Sequence, residues 1–248
     1  MSAPGLPAPS GELDPNPPSI RSPGLAGFSA VGFLAGGAVV GSLLAGTVAA
    51  FTGSTTSSGT TLAGEIGLWV GMAGAAVFVS RRFGSRSLRR DFGLAITWRD
   101  LWPAAAVALV VGLVVTNVVA AAFSGTRFAG TNTGLITGQK HNGVGFAVIT
   151  IIVAVGAPFF EELYFRGVLR TALASRVGPH AAVWIQAAVF GLLHFQPSGG
   201  WGNVSVIIIV GALGVVLGYT ARATRRLGPG MIAHGLFNTV QVAIVLTS

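Results

Sequence analysis

The sequence predicts an all-α protein, a polytopic transmembrane helical bundle of about seven spans. Hydrophobic residues make up 52% of the chain, charged residues make up only 9%, and most of the charges lie between long apolar runs. Soluble domains usually contain about 25% charged residues, whereas about 20 apolar residues suffice to cross a bilayer. The apolar runs do not alternate in hydrophobicity as membrane β-strands do, so a β-barrel is not expected.

The predicted spans fall into two groups behind a segment rich in Pro, Ser and Gly. This segment, residues 1–24, is expected to be a disordered tail. Residues 25–143 hold three spans and a basic loop, and residues 144–248 hold four spans that contain the unusual polar residues described below. The spans are 25–51, 62–80, 101–123, 144–172, 179–195, 204–221 and 230–247.

Basic residues alternate between connecting segments. Five arginines lie in 81–94 and three in 222–229, whereas 52–61 and 196–203 have no basic residue. Because basic loops stay in the cytoplasm, the pattern predicts a cytoplasmic N-terminus and a C-terminus outside. It also accounts for the net charge of +8 without nucleic acid as a partner. The expected location is the cytoplasmic membrane of a prokaryote.

Two compositional features narrow the possible architectures. The chain has no cysteine, which excludes disulfides, a thiol nucleophile and cysteine metal sites. Small residues four apart allow close helix contacts, as at Gly32/Gly36, Gly37/Gly41 and Gly214/Gly218. We expect these glycines to pack within one chain rather than between two copies, and the oligomeric state is left open.

Two adjacent acids stand in the fourth span, where ionisable groups are costly and often functional. Neighbours on a helix point about 100° apart, so Glu161 and Glu162 cannot serve one point equally. Glu162 and Arg166 are four residues apart and can pair. This leaves Glu161 free as a base, because a carboxylate in low dielectric suits proton transfer near neutral pH. The alternative is a glutamate pair that ends a cytoplasmic helix next to arginines.

Histidines in two other apolar segments strengthen the hypothesis of a site. His194 lies late in its segment, and His234 lies four residues before Asn238 on one helix face. With Glu161 they could supply a base, a proton shuttle or metal ligands, and donors for an oxyanion. Glu65 lies near the start of its span, and we interpret it as an interfacial residue that reaches the headgroups.

Three motifs occur in order in these apolar segments: EExxxR, FxxxH and HxxxN. Their residues are Glu161, Glu162, Arg166, Phe190, His194, His234 and Asn238. The ordered set resembles the CAAX-processing and bacteriocin-immunity family of intramembrane proteases, also called the Abi or type II CAAX prenyl endopeptidase family. The resemblance covers about residues 144–247, and the first three spans carry no motif of this kind.

The resemblance implies a role for each motif residue. Glu161 would activate a water that His194 shares, and His234 and Asn238 would stabilise the oxyanion of the tetrahedral intermediate. Two supporting residues would hold the site, Glu162 and Arg166. The substrate would be a membrane-associated protein or peptide. It is a prenylated C-terminal motif in some members, and peptide maturation or bacteriocin self-immunity are equally open.

A metal is a further possibility, since the family has been described both as metalloproteases and as metal-free glutamate proteases. Glu161, His194 and His234 could ligate zinc with a water in the fourth position. The HExxH signature is absent, and if Glu161 were a ligand, Glu162 would have to be both base and partner of Arg166. We therefore favour the metal-free version.

Two other functions are compatible with the polar residues. A proton-coupled secondary transporter also uses intramembrane acids and histidines, although no internal repeat is visible. A non-catalytic immunity or scaffold protein could keep the fold, yet every motif residue is present. One difficulty concerns depth: His194 lies about 22 Å along its helix from Pro179, whereas His234 lies four residues into its span. The two can meet only if spans tilt or helices start outside the bilayer.

Overall fold

The computed structural model describes residues 20–247, and these form helices and connecting segments without strands. Most of the predicted tail, residues 1–19, lies outside the described residues. Ile20 is already buried, and the backbone N–H of Arg21 donates to the carbonyl of Phe83 at 2.8 Å. The chain is therefore attached to the bundle before the first helix begins at Pro23.

Nine helices follow in chain order over the described residues. They are α1 Pro23–Thr52, α2 Ser58–Phe83, α3 Leu88–Phe92, α4 Trp98–Phe123, α5 Gly134–Thr137, α6 Gly143–Val177, α7 Pro179–Leu192, α8 Pro197–Thr224 and α9 Gly228–Thr247. Six of them, namely α1, α2, α4, α6, α8 and α9, are long and apolar enough to cross a membrane. The predicted helical bundle is confirmed.

The remaining predicted span, 179–195, is shorter in the structure than the sequence suggested. It corresponds to α7, which has 14 residues and ends at Leu192. Such a helix is about 21 Å long, less than the hydrocarbon thickness of about 30 Å. The apolar residues Leu193 and Phe195 extend the hydrophobic run beyond the end of the helix, which is why the sequence overestimated the span.

Helices α1 and α2 form an antiparallel hairpin with closely packed backbones. A Cβ on Gly37 would lie 2.8 Å from the carbonyl oxygen of Gly67, and Gly41 faces Gly64 with no room for a side chain. Packing of these glycines within the chain is confirmed. Gly32 and Gly36, by contrast, have nothing within 4 Å of the position that a Cβ would take, so the expectation of packing within the chain is wrong for this pair.

The basic segments lie together at one end of the bundle. The N–H of Leu227 donates to Gly93 O at 2.8 Å, the N–H of Gly228 donates to Ala95 O at 3.1 Å, and Arg226 pairs with the buried Asp100. The segments poor in basic residues meet at the other end, where Gln139 Nε2 donates to Thr56 O and Gly130 N to Ser205 Oγ. This agrees with the predicted alternation, while the membrane side of each end stays a prediction.

Helix α6 contains two π-helical stretches that the sequence did not predict, Ile152–Gly156 and Glu162–Leu169. Such stretches are rare and are frequently found at functional sites. Pro158 lies between them and has no N–H to donate to the preceding turn, so carbonyl groups there lack their usual helical partner. One of them, Val153 O, accepts a hydrogen bond from Asn238 of α9 at 2.6 Å.

Candidate active site

The adjacent glutamates of α6 lie in different environments. Glu162 begins the second π-helical stretch and is fully buried, with Oε1 2.9 Å from Arg166 Nη1, which is also fully buried. Glu161 lines a cavity, and its side chain is 17% exposed. The predicted pairing of Glu162 with Arg166 is confirmed, and Glu161 is the carboxylate left to the cavity.

Phe190 of α7 connects the buried pair to both histidines. The guanidinium carbon of Arg166 lies 4.2 Å from the centroid of the Phe190 ring. The same ring centroid lies 4.7 Å from that of His194 and 5.8 Å from that of His234. The sequence motif marked Phe190 only as the partner of His194 one turn later, and gave no sign that it packs on Arg166 and His234 as well.

A backbone hydrogen bond orients His194 at the end of α7. Its Nδ1 lies 2.8 Å from the carbonyl oxygen of Phe190. A carbonyl only accepts hydrogen bonds, so Nδ1 carries the hydrogen and donates it. In the neutral ring Nε2 is then an acceptor. His194 also lines the cavity, where an acceptor of this kind can hold a water.

His234 lies between the two glutamates. Its Nδ1 is 3.1 Å from Glu162 Oε1, and its Nε2 is 3.8 Å from Glu161 Oε2. Glu162 is ion-paired with Arg166 and accepts hydrogen bonds, so Nδ1 of His234 is the donor. A second donor, directed at an oxyanion, would have to be Nε2–H, and this requires the doubly protonated ring.

Asn238 lines the cavity one turn after His234. Its Nδ2 donates to Val153 O, the carbonyl freed near Pro158. This bond fixes which end of the amide faces α6, because a carbonyl cannot accept from the amide oxygen. An amide nitrogen has two hydrogens, so one N–H of Asn238 is left for another acceptor.

The two histidines meet despite their different distances from the starts of their helices. Both line one cavity, and both rings pack on Phe190. The first residues of α9, Gly228 to Met231, are buried inside the protein, where Gly228 lies next to Ala95, Ile96 and Asp100. Helix α9 therefore begins within the packed protein and not at its surface.

One cavity of ≈ 270 Å³ brings the predicted site residues together. Its lining includes Glu161, His194, His234 and Asn238, whereas Glu162 and Arg166 lie behind this wall. The cavity also has walls at the end of the bundle that is poor in basic residues. These are formed by Asn132, Leu135 and Gln196 from connecting segments and from α5.

Glu65 of α2 also lines this cavity, which corrects its interpretation as an interfacial residue. Its carboxylate is near enough to act electrostatically on that of Glu161. Thr61, four residues earlier on the same helix, lines the cavity too. The only signal in the sequence was an acid in an apolar helix, and periodicity could not show which face of α2 meets α6.

A metal ion would need several ligating side chains close to one point, and Glu161, His194 and His234 are the candidates in this cavity. Among residues 20–247 there is no group of three or more His, Cys, Asp or Glu placed to hold one. Glu161, His194 and His234 share the cavity without forming such a cluster. The mechanism below is therefore written without a metal, and a chelator experiment tests this choice.

Comparison with known proteins gives one family. Residues 143–240 match the family described as type II CAAX prenyl endopeptidase Rce1-like. The match begins with α6 and ends within α9, so it includes all three motifs and leaves α1 to α5 outside. The searches of curated proteins and of solved structures gave no match.

Proposed function

We propose that this protein, which residues 143–240 place in the Rce1-like type II CAAX prenyl endopeptidase family, uses Glu161 to hydrolyse a peptide bond of a membrane-associated substrate. The family and the six apolar helices make it an integral membrane protein of the protease class. The observation that carries the proposal is the convergence of four side chains on one cavity: Glu161, His194, His234 and Asn238.

The first step is activation of water. Glu161 Oε2 is buried and has no hydrogen-bond partner in the protein, so it is free to take a proton. The acceptor Nε2 of His194 holds the same water in place. The water oxygen attacks the carbonyl carbon of the substrate, its proton passes to Glu161, and the carbonyl electrons move to the oxygen. Glu161 then returns the proton to the leaving amine when the C–N bond breaks.

The second requirement is stabilisation of the negative oxygen that forms in this step. Donors placed in advance around a developing oxyanion are often the largest contribution to catalysis. The free N–H of Asn238 and the Nε2–H of doubly protonated His234 supply such donors. Carboxylates lie beside both ring nitrogens of His234, and they complement the positive charge of that form.

The buried pair supports the site from behind. Glu162 accepts from His234 Nδ1 and is held in turn by Arg166, while Phe190 covers Arg166 and contacts both histidine rings. These residues do not line the cavity, so they act by fixing the orientation of His234. This agrees with the supporting role that the motif implies for Glu162 and Arg166.

Cleavage by the purified protein tests the proposal. The wild type and Glu161→Gln are reconstituted in liposomes with an internally quenched, membrane-anchored peptide, and product is followed by fluorescence and mass spectrometry. We expect cleavage by the wild type alone. Strong cleavage by correctly folded Glu161→Gln would contradict the proposal and favour a transporter or a binding protein.

A chelator arm of the same assay separates the two forms of the chemistry. The metal-free mechanism predicts equal rates before and after treatment with a strong chelator. Loss of activity that added zinc restores would show a metal site and would overturn the metal-free version. Glu161→Gln with and without zinc is the control for any cleavage by free metal.

A further inference from the structure

Glu65 introduces a second carboxylate into the cavity from outside the family segment. It belongs to α2, whereas the family match covers residues 143–240. Within the described part of the chain its carboxylate makes no hydrogen bond or ion pair, and it interacts with Glu161 through space. Nothing in the proposed reaction uses this group.

The charges of the cavity wall all belong to acids or histidines. Among the lining residues the ionisable ones are Glu65, Glu161, His194 and His234, and no arginine or lysine is present. The nearby cation, Arg166, is fully buried, ion-paired with Glu162 and covered by the Phe190 ring. It cannot serve as counter-ion for a group bound in the cavity.

This charge distribution favours one class of substrate over another. A substrate carboxylate in the cavity would meet two protein carboxylates and no arginine or lysine, while the charge of His234 is already matched by Glu161 and Glu162. Like charges in such a site are costly. A cationic group would find Glu65 unpaired and ready to accept charge-assisted hydrogen bonds. Glu161 would then stay available for the water.

We propose that Glu65 is a specificity-determining residue that binds an ammonium or guanidinium group of the substrate next to the cleaved bond. The inference rests on the proposed endopeptidase function and deepens it. The cation has two sources, a lysine or arginine side chain or a free α-amino group. The free carboxylate of a short C-terminal fragment is disfavoured at the same place.

The test uses membrane-anchored quenched peptides that differ at a single position. That position carries lysine, norleucine or glutamate, and it is moved through the three residues on each side of the cleaved bond. Each peptide is made with a free and with an acetylated N-terminus, and with a free and with an amidated C-terminus. The ratio of kcat/KM for lysine over norleucine is the readout, because it cancels general losses of activity.

Three variants are compared with the wild type. Glu65→Gln keeps the shape and removes the charge, Glu65→Asp keeps the charge, and Glu65→Lys reverses it. We expect Glu65→Gln to lower the lysine preference about ten- to a hundredfold, since hydrogen bonds to charged groups are worth that much in binding. Glu65→Asp should retain most of the preference, and Glu65→Lys should shift it to glutamate or to a free C-terminal carboxylate.

The outcomes separate this inference from the proposed function. Wild-type cleavage with unchanged lysine-to-norleucine and free-to-acetylated ratios in Glu65→Gln would overturn the role of Glu65 and leave the protease intact. Faster cleavage of peptides with a free than with an acetylated N-terminus, lost in Glu65→Gln, identifies the α-amino group. A lysine-over-norleucine preference, lost in Glu65→Gln, identifies the side chain. Either result supports a cation site.

A binding measurement covers the case in which no peptide is cleaved. Fluorescent lysine and norleucine peptides are titrated onto Glu161→Gln and onto Glu161→Gln with Glu65→Gln. Tighter binding of the lysine peptide that disappears with Glu65→Gln would support the cation site although the protease proposal had failed. Equal binding of both peptides to both variants would overturn the cation site.

Discussion

The two sides of α6 around Glu161 and Glu162 show how one sequence motif serves two physical purposes. On one side Glu162 and Arg166 are fully buried beside Phe190 of α7 and His234 of α9. The apolar residues of the same π-helical stretch pack in a core with residues of α1, α2 and α3. On the other side Glu161 faces a cavity that has both polar and apolar side chains in its wall. A fully buried ion pair supports structure, and an acid beside a cavity is available for chemistry.

The different surroundings of these two glutamates show that neighbouring positions in the sequence can have different roles. Glu161 and Glu162 are adjacent, yet of the two only Glu162 is paired with an arginine in the described residues. His234 lies next to both carboxylates and so connects the buried ion pair of Glu162 with the cavity that Glu161 faces. The predictions below test whether activity and stability separate between the two sides.

The largest effect is expected from Glu161→Gln. The change removes the base and keeps the shape, so turnover should fall by about 10²–10⁴, the usual contribution of acid–base catalysis. Thermal stability in detergent should stay near that of the wild type, because no ion pair of the buried side is lost. Turnover of a quenched peptide and the melting temperature are measured on the same preparation, and a joint loss of both would contradict the separation of the two sides.

The second effect is a loss of turnover in Asn238→Ala of roughly 10²–10³, the cost of removing one oxyanion donor in other proteases. The change also leaves Val153 O without the hydrogen bond it accepts from Asn238. Thr239→Ala is the matched control on the same helix, since its hydroxyl bonds only to Gly235 O of its own turn. If both variants lose activity equally, a general disturbance of α9 is the cause and not the loss of a donor.

The sequence predicted the parts of this site that depend on local spacing. The pairing of Glu162 with Arg166 follows from four-residue spacing, and the motif order indicated the family. The sequence did not predict the π-helical stretches, the buried start of α9 or the place of Glu65. These depend on how distant helices pack, which the spacing within one helix does not determine.

The length of α7 was overestimated for a related reason. Hydrophobicity continues to Phe195, but the helix ends at Leu192, where a turn brings His194 to the cavity. Hydropathy measures the preference for an apolar environment and does not locate the last helical hydrogen bond. His194, for which we propose a catalytic role, lies in the part of the run that is apolar without being helical.

The third effect concerns the buried side. Arg166→Ala leaves Glu162 as an unpaired buried charge, and breaking a buried pair costs about 3–5 kcal/mol. Arg166→Ala combined with Glu162→Gln should recover part of this stability. Unfolding in mild detergent is measured for Arg166→Ala, for Glu162→Gln and for the double variant. If the stability loss of the double variant equals the sum of the two single losses, the two side chains do not interact.

The smallest effect tests the α1–α2 hairpin, which packs against the buried side of α6 through contacts such as the hydrogen bond from Tyr164 to Ala30 O. A methyl group on Gly41 would press on the backbone of Gly64, whereas Gly36 has open space. We expect Gly41→Ala to lower stability by about 1–3 kcal/mol, the usual cost of overpacking. Gly36→Ala is the matched control, and it should be neutral or stabilising by up to about 1 kcal/mol, because alanine is the better helix former.

Activity should follow stability in the Gly41 variant, because α2 also carries Glu65, which lines the cavity. Glu161→Gln, by contrast, should lose activity and keep its stability. Equal melting temperatures for the two glycine variants would show that the close α1–α2 contact does not support the site.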